Sequence, residues 1–436
     1  MATTNRNLLR RVDLRGFEGR LQDVLPRPSA ADLAEAESAA RRILDDVRGR
    51  GDAAVLEYTR RFDCPTLPAD RFRVADDEVA AAYERVSPEW LAAARAAIAN
   101  VRAYHERERP ESWQDDFDGL LLGQRMVPIE RVGIYAPAGK APLPSSLIMA
   151  AVPAHVAGVS RIVVCAPPGR EGNIAPVILV AARECEVGEV FRIGGAQAIA
   201  AMAYGTETVP KVDLIAGPGN AFVVAAKRLV FGEVGIESLP GPSETCVVAD
   251  AQADPALVAA DLLSQAEHGP DSPAFLVTDS EALIGQVEAE LAGQLSDLER
   301  GAQAQQSLAD YGAAVLVRDL GQAAEAVNAI APEHCQVMTA DSEAVAGAIR
   351  HAGCLFIGPW SPVPLGDYIA GPSHVLPTNR TARFSSPLSV HTFLKRMSVI
   401  QASPDGLARL ADHCMALAEA EGLTAHAAAV RRRLGR

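Results

Sequence analysis

From Arg131 to Val230 the chain alternates short apolar runs with longer alanine-rich segments, and this alternation constrains its fold more than any other feature. Arg131–Tyr135 (RVGIY) reads as a buried strand, followed by a Pro/Gly turn at residues 137–139. A helix at 145–157, a strand at 161–165 and a helix at 174–185 come next, then a short strand at 190–193 and a helix after Gly195. Residues 213–216 form one more strand and 220–230 one more helix. Strands apolar on both faces, each followed by a helix, imply a parallel sheet covered on both sides. The alternation resumes with strands at 275–278, 313–317 and 354–357 and helices at 280–298 and 321–331, so a second α/β unit is expected.

The flanks are helical. Ser29 is placed to cap a helix over 31–47 with Leu33, Ile43 and Leu44 on its apolar face and Gly49 and Gly51 as stops; helices at 52–61 and 76–106 follow. At the other end Ser403 caps a helix over 404–420 and Thr424 a last one to Leu434. Leu407, Leu410, Cys414 and Leu417 make a stripe that must be buried on its own domain or on a partner subunit. A chain of 436 residues has room for two sizeable domains. Asp plus Glu (55) outnumber Lys plus Arg (41), so the basic footprint of a nucleic-acid binder is missing. Seven cysteines, without a Cys-x-x-Cys pair, fit a reducing compartment. No signal-peptide run opens the chain, and the longest apolar stretch is broken by Pro153 and His155, so a cytoplasmic protein without a membrane partner is expected.

Several stretches hold residues suited to chemistry. In DLLSQAEHG (261–269), a helix from the Asp254-Pro255 start to the Gly269 stop places Gln265 and His268 three apart on one face of its last turn. Imidazole is a common zinc ligand and a glutamine oxygen an uncommon one, while a histidine at a helix C-terminus also serves as a dipole partner. APEH (331–334) sets Glu333 beside His334 at a helix-to-strand junction. An imidazole base next to a carboxylate suits removal of a hydroxyl proton as hydride leaves, though such pairs also occur in solvated loops. GDYIAGPSHVLPT (366–378) holds Asp367, an oxygen donor, and His374 in a Gly/Pro-rich loop. EGLTAH (421–426) brings His426 into the first turn of the last helix, near Glu421. The turns GGAQ (194–197) and GPGN (217–220) each follow a strand and open a helix, so their amides suit a phosphate. Neither is Gly-x-Gly-x-x-Gly, and no obvious acidic residue stands about twenty positions on. Cys246, within Thr-Cys-Val-Val, reads as part of a buried strand without a base, hence as structural rather than as a thiol nucleophile.

Taken together and in order, GDAAVLEYTRRFD, RVGIYAPAGKAPLPSSLIMAAVPAHVAG, GGAQAIAA, VPKVDLIAGPGNAFVVAAKR, GPSE, DLLSQAEHGPDS, APEH, GDYIAGPSHVLPT, TARFSSPLSV and EGLTAH resemble the histidinol dehydrogenase family over nearly the whole chain. The resemblance implies an α/β protein of two incomplete Rossmann-like domains with parallel-sheet cores, plus small helical N- and C-terminal extensions exchanged in a homodimer. It divides the chain into an N-terminal extension (1–28), a first domain with the zinc and catalytic residues (29–125 and 240–380), a second domain with the NAD contacts (126–239) and a C-terminal extension (381–436). It implies oxidation of L-histidinol through L-histidinaldehyde to L-histidine with two NAD, at the end of histidine biosynthesis. Gln265, His268 and Asp367, with His426 supplied by the partner subunit, resemble the ligands of one Zn2+ per subunit. Ser243, His374 and Glu421 resemble substrate-pocket residues, joined there by Gln265, His268, His334, Asp367 and His426. Tyr135, Gln197 and Asn220 resemble NAD contacts, His334 the general base, and Glu333 the residue that activates water. Pro273, Ala138 and Asn379-Arg380 depart from the family pattern without removing a ligand or base. A zinc- and NAD-dependent dehydrogenase of another primary alcohol is the alternative. A non-catalytic scaffold is disfavoured by the intact Glu333-His334 pair and ligand set.

Overall fold

A computed structural model describes residues 8–17, 19, 21, 24–26, 31–138 and 141–436. Ser29, most of the expected extension 1–28, Gly139 and the side chain of Leu33 lie outside the described residues.

Two parallel sheets carry the fold, as the alternation requires. One contains β4 (Arg131–Tyr135), β5 (Arg161–Ala166), β6 (Glu189–Arg192), β7 (Leu214–Ala216) and β8 (Gly235–Ile236), in the order β6-β5-β4-β7-β8. The other contains β1 (Arg10–Asp13), β9 (Thr245–Ala249), β10 (Ala274–Thr278), β11 (Gly312–Leu316), β12 (His334–Met338) and β13 (Cys354–Ile357), in the order β1-β11-β10-β9-β12-β13. In each sheet the first strand of the α/β run, β4 or β9, has later strands on both sides. That reversal is the topological switch point at which open α/β sheets leave a crevice. Thr245–Ala249, Ala274–Thr278, Gly312–Leu316 and His334–Met338 are buried throughout, which explains their unbroken apolar reading.

The N-terminal helices pack differently from the expected division. Ala31–Arg50 lies on the helices Gly195–Tyr204 and Ala221–Val230, and Pro88–Glu106 lies on Pro144–Ala157. Their buried faces (Ala36, Ala40, Ile43, Leu44 and Val47; Ala94, Ile98 and Val101) belong to the cores of the β4–β8 sheet. The grouping of residues 29–125 with 240–380 is therefore corrected for these helices: they cover the sheet that follows them in the chain. An amphipathic stripe specifies that it must be buried, not on which sheet.

Other differences have local causes. The expected helix over 76–106 is two, Asp76–Ala82 and Pro88–Glu106, because Ser87 caps the second through Trp90 N and Pro88 occupies its first turn. Gly301–Tyr311 is an additional helix, and Thr424 is the first residue of the last helix rather than its cap. A third, antiparallel sheet was not anticipated: β14 (Leu394–Ala402), β3 (Leu120–Pro128) and β2 (Trp113–Asp116) pair in that order. The C-terminal extension is thus strand followed by helices, not helical throughout. β14 pairs with residues more than 260 positions earlier in the chain, from Leu394 opposite Pro128 to Ala402 opposite Leu120, so no local turn signal announces it. Ser403 does cap Pro404–Ala420, its Oγ accepting from Gly406 N at 3.0 Å. Much of the stripe on that helix stays uncovered, Leu417 being 68% exposed and Leu410 37%. Among the described residues no helix is long and apolar enough to cross a membrane.

Candidate active site

The two sheets meet at a cleft of about 1000 Å³. Its walls include Tyr135, Gln197 and Asn220 from one sheet's turns, and Glu267, His268, Arg300, Gln303 and Tyr368 from the other half. Of the residues expected at the cofactor and metal sites, Tyr135, Gln197, Asn220 and His268 therefore line one space. On the first wall Tyr135 ends β4, Gly194 follows β6 and Gly217 follows β7, so all three sit at strand carboxyl ends around the switch point. Gly195 N donates to Tyr135 Oη at 3.1 Å, and burial pushes the Tyr135 phenol up to about 12, so its ring stays neutral. Asn220 caps the helix Ala221–Val230, its Oδ1 accepting from Phe222 N and Val223 N, both at 3.1 Å. Gly217, at φ 116°, has no room for a Cβ, which would strike the Tyr135 carbonyl oxygen.

Sequence reasoning missed what holds this turn in place. Lys227 and Glu237, with side chains 0% and 1% exposed, form an ion pair at 2.6 Å. Lys227 Nζ also donates to Gly217 O at 3.1 Å, and Glu237 Oε1 accepts from Gly217 N at 2.8 Å, so the pair clamps both ends of one glycine. The available signal was a lysine on an otherwise apolar face with Val223, Ala226 and Val230. Asp63, another cleft residue with no assigned role, ends the helix Asp52–Phe62.

The pair expected to be catalytic, Glu333 and His334, lies at the other sheet's strand amino ends. The helix Leu320–Ile330 stops at Ala331, which adopts the left-handed conformation (φ 48°) that costs a non-glycine residue energy. Pro332 and Glu333 then lead into His334, the first residue of β12, as the helix-to-strand reading required. Glu333 Oε2 accepts from Glu244 N at 3.0 Å, and His334 Nδ1 faces Glu244 O at 3.2 Å. His334 stands between two carboxylates, 3.6 Å from Glu333 Oε2 through Nδ1 and 3.6 Å from Asp367 Oδ1 through Nε2. Burial pushes its imidazole down, but Glu333 and Asp367 together outweigh this and raise it to about 9. Burial drives the Glu333 carboxyl up, while in Asp367 the facing His334 imidazole outweighs burial and holds it low. Asp367 lies in the last turn of a short helix, Val363–Tyr368, rather than in open loop; Gly366 leaves room for the Phe356 ring, which also sits beside His334.

The remaining expected residues divide. Asp254 caps the helix Pro255–Ala266, its Oδ1 accepting from Ala256 N at 2.9 Å, and Gln265 lies in the last turn. His268 falls just beyond the helix end. Its Nδ1 donates to Ser264 O at 2.9 Å, which leaves Nε2 as the ring nitrogen available to a ligand. Ser243 lies between Gln265 and Glu333: its Oγ donates to Gln265 Oε1 at 3.4 Å, and its hydroxyl near Glu333 opposes the rise of that carboxyl. His374 has both ring nitrogens engaged, Nδ1 with Asp367 O at 2.8 Å and Nε2 with Ser146 Oγ at 3.3 Å, so it braces the Asp367 segment. Glu421 and His426 are exposed, near the junction of the C-terminal helices, which pack on each other and on β14. No described hydrogen bond or ion pair links either residue to the cluster. Cys246 is buried in β9 and burial drives its thiol far up, in keeping with a structural role.

The donor set suits a cation without being a complete cage. Among the described residues no group of three or more His, Cys, Asp or Glu side chains is arranged to hold a metal. Of the expected ligands, the chain brings His268 near enough to Asp367 to act on its carboxyl and adds the Gln265 amide. Gln265 Nε2 is buried with no acceptor. Turning the amide over lets nitrogen donate to Ser243 and aims a free carbonyl oxygen into the site, which is the donor a metal requires.

Comparison with known proteins agrees with this geometry. A family model described as histidinol dehydrogenase matches residues 27–434. The chain is 51% identical to the histidinol dehydrogenase of Heliobacterium mobile over 390 residues, 89% of this chain and 91% of that one. It is 47% identical to that of Bacillus subtilis over 410 residues, covering 94% and 96%. The crystal structure of the histidinol dehydrogenase from Elizabethkingia anophelis superposes with a TM-score of 0.94 at 35% identity, covering 99% of both chains.

Proposed function

Because the chain belongs to the histidinol dehydrogenase family, we propose that it oxidises L-histidinol through L-histidinaldehyde to L-histidine, a four-electron reaction using two NAD in histidine biosynthesis. The observation that carries this reading is His334 held between Glu333 and Asp367, with Asp367 adjoining Tyr368 and His268 of the cleft wall. His334 accepts the hydroxyl proton of the alcohol, and later that of the hydrated aldehyde, as hydride leaves. Glu333, oriented by Glu244 N and Ser243, accepts a proton from the water that adds to the aldehyde. Its burial favours this, because a carboxylate taken out of water is a stronger base. NAD accepts the hydride of each oxidation, and Tyr135, Gln197 and Asn220 are the residues that would contact it.

Zinc, one per subunit, fits Gln265, His268 and Asp367 of one chain with His426 of the other; when bound it supplies a Lewis-acid centre for the imidazole and amino nitrogens of the substrate. Sharing Asp367 with a cation weakens that carboxylate's pull on the His334 proton, which brings the imidazole back toward the range of a working base. The uncovered apolar surface of the C-terminal sheet and helices, with Ile400 75% exposed, supports a homodimer in which that unit covers a second copy and delivers Glu421 and His426 to it. The cytoplasm is the compartment that suits such an enzyme with free thiols. The test is NADH formed per L-histidinol, with and without a chelator. About two NADH per substrate, lost on chelation, is expected; preference for another primary alcohol would overturn the assignment.

A further inference from the structure

Gln197 is 1% exposed on the cofactor wall of the cleft, yet its Oε1 accepts no hydrogen bond among the described residues. Its Nε2, in contrast, points at Asp63 Oδ2, 3.3 Å away. An amide has two ends that differ only in polarity, so whichever neighbour engages one end decides what the other end presents. A carboxylate can only accept; while Asp63 is ionised it therefore fixes the nitrogen toward itself and leaves the oxygen sealed beside Gly195 of the turn, without a donor among the described residues. The turn is shaped around that carboxylate. A Cβ on Gly194 would lie 3.1 Å from both Asp63 oxygens, so the first glycine of GGAQ is what lets Asp63 approach. Asp63 has no ion-pair partner among the described residues, and burial alone pushes its carboxyl up to about 6. A buried, unpaired carboxylate is costly, and its one described hydrogen-bonding neighbour is the Gln197 amide.

We propose that Asp63 is a positioning residue for the cofactor: by accepting from Gln197 Nε2 it locks the amide so that Oε1 is kept for a hydroxyl or amide donor of the dinucleotide. The proposal rests on the reading of Gln197 as an NAD contact. Asp63 acts through Gln197 and touches no reacting atom, so its loss changes affinity for NAD rather than the chemical step.

The test is a double-mutant cycle on NAD affinity, measured by calorimetry on the purified full-length protein, with KM for NAD and kcat determined in parallel. Asp63→Leu, which keeps the branched shape at somewhat larger volume and removes the acceptor, is expected to weaken NAD binding about tenfold or more, the scale of a lost hydrogen bond to a charged group. Asp63→Asn, which can still accept from Gln197, restores most of that loss. In a Gln197→Ala background Asp63→Leu has no further effect, because its target is gone. Equal losses in both backgrounds, failure of Asn to restore binding, or a fall in kcat without a change in KM for NAD would each overturn the proposal. If Gln197→Ala alone leaves NAD affinity unchanged, the underlying assignment of Gln197 fails instead, and the proposal falls with it.

Discussion

Breaking the Lys227–Glu237 pair is the most exacting test of how the cofactor turn is built. Both side chains are essentially sealed from solvent, the Nζ–Oε1 distance is 2.6 Å, and the two groups hold the amide and the carbonyl of Gly217. Lys227→Met leaves Glu237 as a buried carboxylate whose remaining described partner is one glycine amide. Glu237→Leu leaves a buried ammonium with a single carbonyl. Removing one member of a buried ion pair costs about 3–5 kcal/mol, because the survivor's desolvation is no longer offset. Replacing both with apolar groups of similar size removes that uncompensated charge, so the double variant should be more stable than either single one. It still loses the two hydrogen bonds to Gly217, at about 1 kcal/mol each. The assay is urea denaturation of the three variants alongside NAD titration. Each single variant should unfold at clearly lower urea, the double variant should recover part of the loss, and NAD affinity should fall in all three because Gly217 is no longer clamped. Single variants within about 1 kcal/mol of the parent, or a double variant showing the sum of the two losses, would refute the argument that a desolvated pair holds the turn.

Other outcomes follow from the site. His334→Ala should lower kcat about a hundredfold or more while metal analysis still finds zinc, and an undiminished rate would remove His334 from the mechanism. His426→Ala should lower zinc content without unfolding the protein. If His426 is contributed across the dimer, refolding this variant together with His334→Ala restores activity to about a quarter of the sites, since one site of each mixed dimer is intact; no recovery would place His426 in its own chain's site. Burial raises the Asp63 carboxyl to about 6, well above the ordinary aspartate range of about 4. Its charged form therefore costs stability above about pH 6, and the cost disappears as the pH falls to 4. With roughly a third of the group solvated, that cost is about 1 kcal/mol after screening. Asp63→Asn should raise the urea midpoint at pH 7.5 but not at pH 4, and equal midpoints at both would contradict the assignment.

How much of this was legible in the sequence depended on whether the information was local. Strand Cys354–Ile357 and the caps Asp254 and Ser403 were readable because alternation, apolar runs and cap chemistry act over a few residues. APEH was readable for the same reason, since a proline after a helical run forces the exit into β12. The antiparallel sheet was not, because pairing β14 with β3 joins segments with no shared turn. The sheet covered by the N-terminal helices was also hidden, since Ile43 and Leu44 specify burial but not a target. Among site residues, Asp63 carried no local mark, and its proximity to Gln197 exists only once the helix Asp52–Phe62 packs beside β6's exit turn.

The two halves share a strand order but use opposite ends of it, and helix polarity gives a reason. At the cofactor wall the strands' carboxyl ends lead into the N-termini of Gly195–Tyr204 and Ala221–Val230. Unpaired amides and the positive end of the dipole gather there, which suits an anionic pyrophosphate. At the opposite wall, where Glu333 precedes β12 and His334 begins it, the helix Pro255–Ala266 arrives with its C-terminus. Unpaired carbonyls and the negative end of the dipole gather there, which favours a cation and carries Gln265 and His268 to it. A cleft between these walls has one side electrostatically prepared for phosphate and the other for a metal and a protonated imidazole. An arrangement using the same end of both sheets would set two anion-favouring walls face to face. On this argument a cationic side chain added at the end of Pro255–Ala266, as in Ala266→Lys, should compete with zinc and lower metal content. The same charge placed early in Ala221–Val230 should leave zinc unchanged, and equal effects at the two positions would show that helix polarity does not organise the site.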